Sequence, residues 1–393
     1  MMILEGMQML IQCTKKLLDE LGIDPTAVVD KDPTFSWHAN LVTLNRRKTL
    51  ILIHDRNRYV IVMYGLRKKD FQKLDSLIID TIREALQAEC INEEIIHTFL
   101  DQAGEAVFAR SSDRSSLTRL VQAAEFAGAW TDMIVEDRVF QAPLSRELSR
   151  IPVSAGKGIR GYVWPYEELY RDLEELTGKP ALECRAAVLK VTLELEGFDV
   201  WRRILVPLNT SFTTLHKALQ IAFGWKDCHL HEFFLYGEQG PVDEDDVNHS
   251  AFHSEGYKPV LHVVSFGDGD APAHPWDIPI RMEEGAKLSD HEFQHARYVY
   301  DFGDFWRHDI DVEEIIEDHN GNHPIFIDGN GDAPPEDVGG EPGFGHFTRV
   351  MADKDDPEHG DWRQWAQGQG YRKSDRLSSV NSAKASDQFQ SHV

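Results

Sequence analysis

Cysteine is scarce in this chain. Its 393 residues hold four, Cys13, Cys90, Cys184 and Cys228, scattered and with no CxxC pair. That spacing excludes a disulfide framework and a cysteine-rich zinc site, and it suits a reducing compartment. Long apolar runs are missing as well; none approaches the roughly 18 residues needed to cross a bilayer. The opening residues, Met1 to Gly22, place their lysines after the apolar positions and interrupt them with Glu5 and Gln8. A secretory signal is positive first and apolar second, so the expectation is a cytoplasmic protein with no membrane partner. No internal repeat is visible. Gly156-Lys157-Gly158 lacks the upstream glycine and the following Ser or Thr of a phosphate-binding loop.

Positive charge is in short supply too. Lys and Arg number 41 against 66 Asp and Glu, a net charge of −25. The deficit is uneven: residues 185–393 carry 18 basic and 38 acidic side chains, whereas residues 1–127 carry 16 and 18. Nucleic-acid binders draw most of their affinity from phosphate neutralisation by a basic face. The charge therefore argues against direct nucleic-acid binding. The two basic clusters, Arg46-Arg47-Lys48 and Arg67-Lys68-Lys69, read as a hairpin end and a helix start in water. What is plentiful is core material, with 41% hydrophobic and 10% aromatic residues, so the chain is not disordered throughout.

The pattern predicts an α+β protein of two domains, each a largely antiparallel sheet packed with helices. In residues 1–127, a helix over 15–21 precedes three strand-like runs, 37–44, 49–54 and 59–64, separated by polar turns. Phe71, Leu74, Leu77, Ile78, Ile82 and Leu86 then recur at helical spacing. Residues 93–100 and 116–126 continue as helix around a short strand at 106–110. Residues 128–180 read as a connector with one acidic amphipathic helix over 164–176. A second domain spans 181–372, with strands expected at 187–195, 201–206, 229–236, 260–265, 278–282, 298–302 and 306–312. Ser211 is placed to cap a helix that runs to Phe223. A Gly/Pro-rich loop is expected over 321–345 and two short helices at 347–352 and 358–367. The Ser-rich end, 373–393, reads as a disordered tail.

Several blocks of the second domain recur together: Val200-Trp-Arg-Arg-Ile-Leu-Val-Pro207, Leu215-His216, Phe223-Gly-Trp-Lys-Asp-Cys-His-Leu-His-Glu-Phe233, Tyr298-Val-Tyr-Asp-Phe-Gly-Asp-Phe-Trp-Arg-His308 and Pro334-Pro-Glu-Asp-Val-Gly-Gly340. In these the domain resembles the plasmid pRiA4b ORF-3-like family. The first domain resembles a small uncharacterised α+β domain through Cys13-Thr-Lys-Lys-Leu-Leu and Trp37-His-Ala-Asn-Leu followed by Arg46-Arg-Lys. The resemblance implies an α+β fold with a largely antiparallel sheet and, through labels given to some relatives, a link to mobile elements. It implies no activity.

Fifteen of the 18 histidines follow residue 184. On strands, side chains alternate in direction. His229 and His231 would share one face, Trp306 and His308 another, and Asp301 and Asp304 flank Gly303 in an acute bend. A pocket gathering Asp227, His229, His231, Asp301, Asp304 and His308 would offer imidazole and carboxylate ligands. The metal set among them is His229, His231, Asp301, Asp304 and His308, suited to a divalent ion such as zinc or manganese. The same types serve structure equally well. A histidine beside Trp and Phe is often half-buried on a carboxylate, and an Asp at a Gly bend often ties down its own backbone. Glu336 and Asp337 could be presented to a ligand by their rigid-then-flexible loop, or could cap the next helix. Arg202 could bind an anion if outward, or pair internally.

Two short motifs are decoys. Asp301-Phe302-Gly303 matches the kinase metal-binding triplet, yet neither the catalytic-loop pattern nor a nucleotide-covering loop accompanies it. Asp328-Gly-Asn-Gly-Asp332 imitates the start of a calcium loop, but Ala333 and Gly339 stand where Gly and Glu are required. The residues thus point first to a binding or adaptor protein, with an enzymatic role left open. Its surface, Arg202, Trp225, Asp227, His229, His231, Asp301, Asp304, Trp306, His308, Glu336 and Asp337, would meet a protein or small-molecule partner. The alternative is a metal-dependent hydrolase using the His/Asp cluster.

Overall fold

The computed structural model describes residues 8–25, 31–111, 113–154, 161–240, 249–265, 277–283 and 285–371. The chain divides into two compact units, Met1–Cys184 and Arg185–Val393. Gly156-Lys157-Gly158 and the Ser-rich end lie outside the described residues.

The first unit runs β1 (Met9–Cys13), α1 (Lys15–Leu21), β2 (Ser36–Leu44), β3 (Arg47–His54), β4 (Val60–Leu66), α2 (Lys68–Phe71), α3 (Leu74–Ala88), α4 (Glu93–Ala103), β5 (Ala106–Arg110), α5 (Arg114–Ala129) and α6 (Ala142–Arg150). A small hairpin of β6 (Val153–Ser154) and β7 (Tyr162–Val163) then leads to α7 (Pro165–Thr177). The sheet order is β4-β3-β2-β1-β5. The expected meander is β2-β3-β4, antiparallel throughout. Asn45 and Arg46 turn it at φ 44° and 63°, the left-handed pair of a tight hairpin. The sequence reading misses β1, which lies parallel to both β2 and β5 and makes the sheet mixed. Five residues, buried throughout, show no alternation by which to recognise a strand.

Both faces of this sheet are covered. Trp37, Ala39 and Leu41 pack with α3, α4 and α7, while Leu44, Ile51, Ile53 and Val62 pack with α5 and α6. Residues 128–180, read from the sequence as a connector, contribute α6 and α7 to this unit; Leu144 and Leu148 enter one core and Leu169 and Leu173 the other. Helix α6 also seals the outer edge of β4. Its Ser149 and Ser145 hydroxyls accept from the Val60 and Val62 N–H groups, each at 2.9 Å.

Glu89 is the charged anchor of this unit. Its fully buried carboxylate accepts from the Tyr59 and Tyr170 hydroxyls at 2.8 and 2.6 Å and from Arg150 at 3.2 and 3.3 Å. Burial alone would raise its pKa, but Arg150 and Arg146 hold it down to about 2. A depressed carboxyl stabilises the fold above its unfolded value and loses that contribution as pH falls through the folded one. We expect Glu89→Gln to cost roughly 3 kcal/mol, because two arginines lose their counter-charge. The penalty should shrink between the ordinary value of 4.5 and about 2. Urea denaturation of both proteins across that range checks it; an unchanged stability at neutral pH would remove Glu89 as the anchor.

The second unit follows as β8 (Cys184–Leu193), β9 (Val200–Pro207), α8 (Phe212–Phe223), β10 (His231–Gln239), β11 (Tyr257–Val264), β12 (Ile280–Met282), β13 (His295–Tyr300), β14 (Trp306–His319), β15 (Ile325–Asn330), α9 (Gly340–Ala352) and α10 (His359–Gly368). Its sheet order is β12-β11-β10-β13-β14-β8-β9-β15. The pairs β10-β11, β10-β13, β13-β14, β8-β9 and β9-β15 are antiparallel, while β11-β12 is parallel. The Ser211 hydroxyl accepts from the Thr214 N–H, so the expected helix cap forms. The calcium-like run 328–332 is the end of β15 and its exit; Asn330 donates to the Asp199 carbonyl and carboxylate, each at 2.8 Å. Alternate residues of β8, β10, β13 and β14 point to one core, where α8 and α9 cover them. The start of β10, the end of β13, the start of β14 and the loop before α9 meet at one end of the sheet.

Candidate functional site

That end of the sheet collects the residues singled out above, and it sorts them into three groups. The first is core. His308 is fully buried, with its ring 4.7 Å from Phe223 and 5.1 Å from Trp225. Its Nδ1 faces the Tyr298 carbonyl at 3.3 Å, and burial lowers its pKa to about 3. It reaches no carboxylate of the cluster, so it does not serve as the expected metal ligand. Trp306 and Trp225 are buried as well; the Trp225 indole stacks on Tyr300 at 5.0 Å and donates to the Pro334 carbonyl. Arg202 is turned inward, donating to the carbonyls of Ala222, Asn330 and Gly331 over the Phe223 ring. Burial brings its pKa down to about 10. The internal pairing expected is made with backbone oxygens, and Asp332 is the acidic group that acts on its charge.

The second group is a stacked histidine pair. The His216 and His231 rings lie 3.4 Å apart and 2° from parallel. His216 Nε2 meets Asp227 at 2.7 Å, its Nδ1 meets the Tyr298 hydroxyl at 2.8 Å, and His231 Nε2 meets Glu283 at 2.7 Å. Burial lowers the His216 pKa despite Asp227, and His216 in turn lowers that of Asp227. His216, Asp227 and His231 are close enough to share an ion. The stacking argues against it: in-plane lone pairs on parallel rings cannot converge on one zinc at the usual ~2.0–2.1 Å.

The third group remains as a metal candidate. His229 lies two residues before β10, and the Asp301 N–H donates to the intervening Leu230 carbonyl and extends the ladder. Three carboxylates converge on its Nε2: Asp337 at 3.1 Å, Asp301 at 3.5 Å and Glu336 at 3.8 Å. Each is placed by a separate device. Asp301 divides its work, with Oδ1 accepting from the Gly303 N–H at 2.8 Å and Oδ2 facing His229. Glu336 is 3% exposed; its Oε1 accepts from the Lys226 N–H at 2.7 Å and the Tyr300 hydroxyl at 3.0 Å. Its buried Oε2 accepts no hydrogen bond. Asp337 is 58% exposed on the solvent side. Asp304 points elsewhere, accepting from the Gly339 N–H, and so fastens the 301–305 bend to the loop.

Backbone strain gathers here as well. Asp227, Asp301 and Asp337 adopt φ of 55°, 59° and 57°. Aspartate tolerates that left-handed region better than most side chains, and such residues concentrate at functional sites. Sequence reasoning missed Tyr300, Cys228 and Glu283 as members of this region. Cys228 joins His229 and Glu336 within ligand reach, its thiol pKa raised by burial and by Glu336. The alternation that carries Tyr298 into the core with Trp306 and His308 also carries Tyr300, and it was the one available signal.

These features define an α+β domain of mostly antiparallel strands with a histidine–carboxylate cluster at one sheet end. The chain belongs to the plasmid pRiA4b ORF-3-like family, whose pattern residues 185–377 match. Residues 10–168 match a domain of unknown function, DUF6933. The uncharacterised protein y4hQ of Sinorhizobium fredii is 31% identical over 183 residues, covering 47% of this chain and 81% of that protein. A protein of unknown function from Methanosarcina mazei, MM3350, is 31% identical over 47% of this chain and 89% of its own, with a TM-score of 0.36. The link to plasmids rests on the family's name alone. Among the described residues, no helix is long and apolar enough to cross a membrane.

The buried imidazole gives a pH signature. A histidine whose folded pKa lies below its ordinary 6.5 binds fewer protons folded than unfolded. Stability therefore falls as pH drops from about 6.5 toward about 3, by up to about 1.4 kcal/mol per pH unit. We expect His308→Leu to flatten that slope for the second unit. Denaturation followed by near-ultraviolet circular dichroism at several pH values reads it, and an unaltered slope would show that His308 is not held neutral.

Proposed function

We propose that the second unit holds a divalent-metal centre with His229, Asp301 and Asp337 as ligands and Glu336 beside them, and that its chemistry is metal-dependent hydrolysis. The observation that carries this reading is the unbonded, buried Glu336 Oε2, aimed with two further carboxylates at one imidazole nitrogen. An anionic oxygen buried without a donor costs several kcal/mol unless a cation answers it. One nitrogen and two carboxylate oxygens, with a third carboxylate beside them, suit manganese ahead of zinc. His229 at 28% and Asp337 at 58% side-chain exposure leave one side of the cluster open to solvent and substrate. A divalent ion there would supply Lewis acidity and lower the pKa of water. Tyr300 would act as a positioning residue through its bond to Glu336.

An adaptor role draws its support from a different observation. Leu230 and Phe302, beside His229 and Asp301 in sequence, are 52% and 36% exposed. Its expected aromatic anchors, Trp225 and Trp306, are in the core.

Calorimetric titration of the chelator-treated full chain with Mn²⁺ and Zn²⁺ tests the proposal. We expect one ion per chain, with affinity reduced at least about tenfold by His229→Ala or Asp301→Asn, and about tenfold by Tyr300→Phe. Turnover on a panel of phosphoesters and esters should follow the metal. Failure of wild type to bind either ion would overturn the metal centre; binding without turnover on any ester would leave the adaptor reading.

A further inference from the structure

Next to the His229 cluster lies a cleft of about 270 Å³ lined by Asp337, Asp361, Trp362 and Trp365. Asp337 belongs to both, since its Oδ1 faces His229 at 3.1 Å. Trp362 and Trp365 stand one turn apart on α10 with their rings 5.2 Å apart at 82°, edge to face. Phe347 backs both, at 5.7 and 6.0 Å, so the indoles are half-buried and held in place. Asp361 is exposed at the rim.

The lining selects by chemistry. An anion is repelled by the two carboxylates and by a unit with 38 acidic and 18 basic residues. A neutral apolar group gains nothing from the carboxylates. A hydrated metal ion gains nothing from the indoles. A compact organic cation uses both, because the faces of indole rings attract positive charge and the aspartates supply its counter-ions. We infer that this cleft seats an alkylammonium group of the ligand that the metal centre acts on. The inference rests on the proposed metal centre for what happens next to the group, and on Trp362, Trp365 and Asp361 for recognition.

Choline and its uncharged tert-butyl analogue are the probes, titrated into the full chain with and without Mn²⁺. We expect choline to bind, the analogue to bind at least about tenfold more weakly, and Asp361→Asn and Trp365→Ala each to weaken choline about tenfold. Mn²⁺ affinity should be unchanged in both variants, because neither residue is a proposed ligand. The comparison of the two probes needs no substitution, so it stands even if Trp365→Ala unfolds α10. Equal binding of choline and its analogue, or no choline binding to wild type, would overturn the inference. Mn²⁺ binding without choline binding sinks the cleft alone; choline binding to a chain that fails to bind Mn²⁺ itself supports the cleft and sinks the metal centre.

Discussion

Everything at the candidate site depends on where Glu336 is held. One of its oxygens is fully used, by the Lys226 amide and the Tyr300 hydroxyl. Those two donors come from the turn after α8 and from the end of β13, so the carboxylate clamps the loop before α9 onto both. The other oxygen is left bare in a buried setting. A buried carboxylate so divided is costly in isolation, and its neighbours deepen the cost by bringing Asp301 and Asp337 to the same imidazole. The fold thus concentrates negative charge at a point where, among the described residues, His229 is the basic side chain that faces it.

The loop that carries Glu336 can approach only because of glycine. A Cβ on Gly340, at φ +67°, would stand 3.0 Å from the Asp304 carbonyl oxygen, and one on Gly343 would stand 2.0 Å from that of Val338. The first would push α9 off the bend that presents Asp301, and the second would push it off the turn at Val338 that leads into it. Phe344 and Phe347 then fix α9 in the core, and α10 packs on α9 through Phe347. The metal candidate and the indole cleft are therefore consequences of one loop, placed by two glycines and one carboxylate.

Much of this was legible in the sequence. Ser211 capped its helix, and the strands around His231, Tyr298 and Trp306 formed where alternation placed them. Asp301 and His229, grouped in the sequence analysis, lie together, and Glu336 and Asp337, read there as loop residues that could face a ligand, stand at the same imidazole. The remainder was hidden for physical reasons. Alternation says which residues share a face but not whether that face is covered, so His308, Trp225 and Trp306 looked like surface and are core. Asp304 sits three residues from Asp301, yet the left-handed turn at Asp301 and Phe305 sends its carboxylate to the Gly339 amide. Strand β15 was masked by Gly, Asn and Asp, which read as loop but here pair along β9. Strand β1 was too short and too uniformly apolar to declare itself.

The first unit shows how a sheet can end without charge. The outward amides of β4 are taken by two serine hydroxyls of α6 and by the Val139 carbonyl, which accepts from Tyr64 at 2.7 Å. An edge whose donors are occupied by its own chain offers no template to a strand from another molecule. Among the described strands of that sheet, β5 is the other border, bonded to β1 on one side. Among the described strands of this five-stranded sheet, extension by a strand from another molecule is thereby left to β5, and the two serines act as a barrier to polymer growth as much as a packing feature.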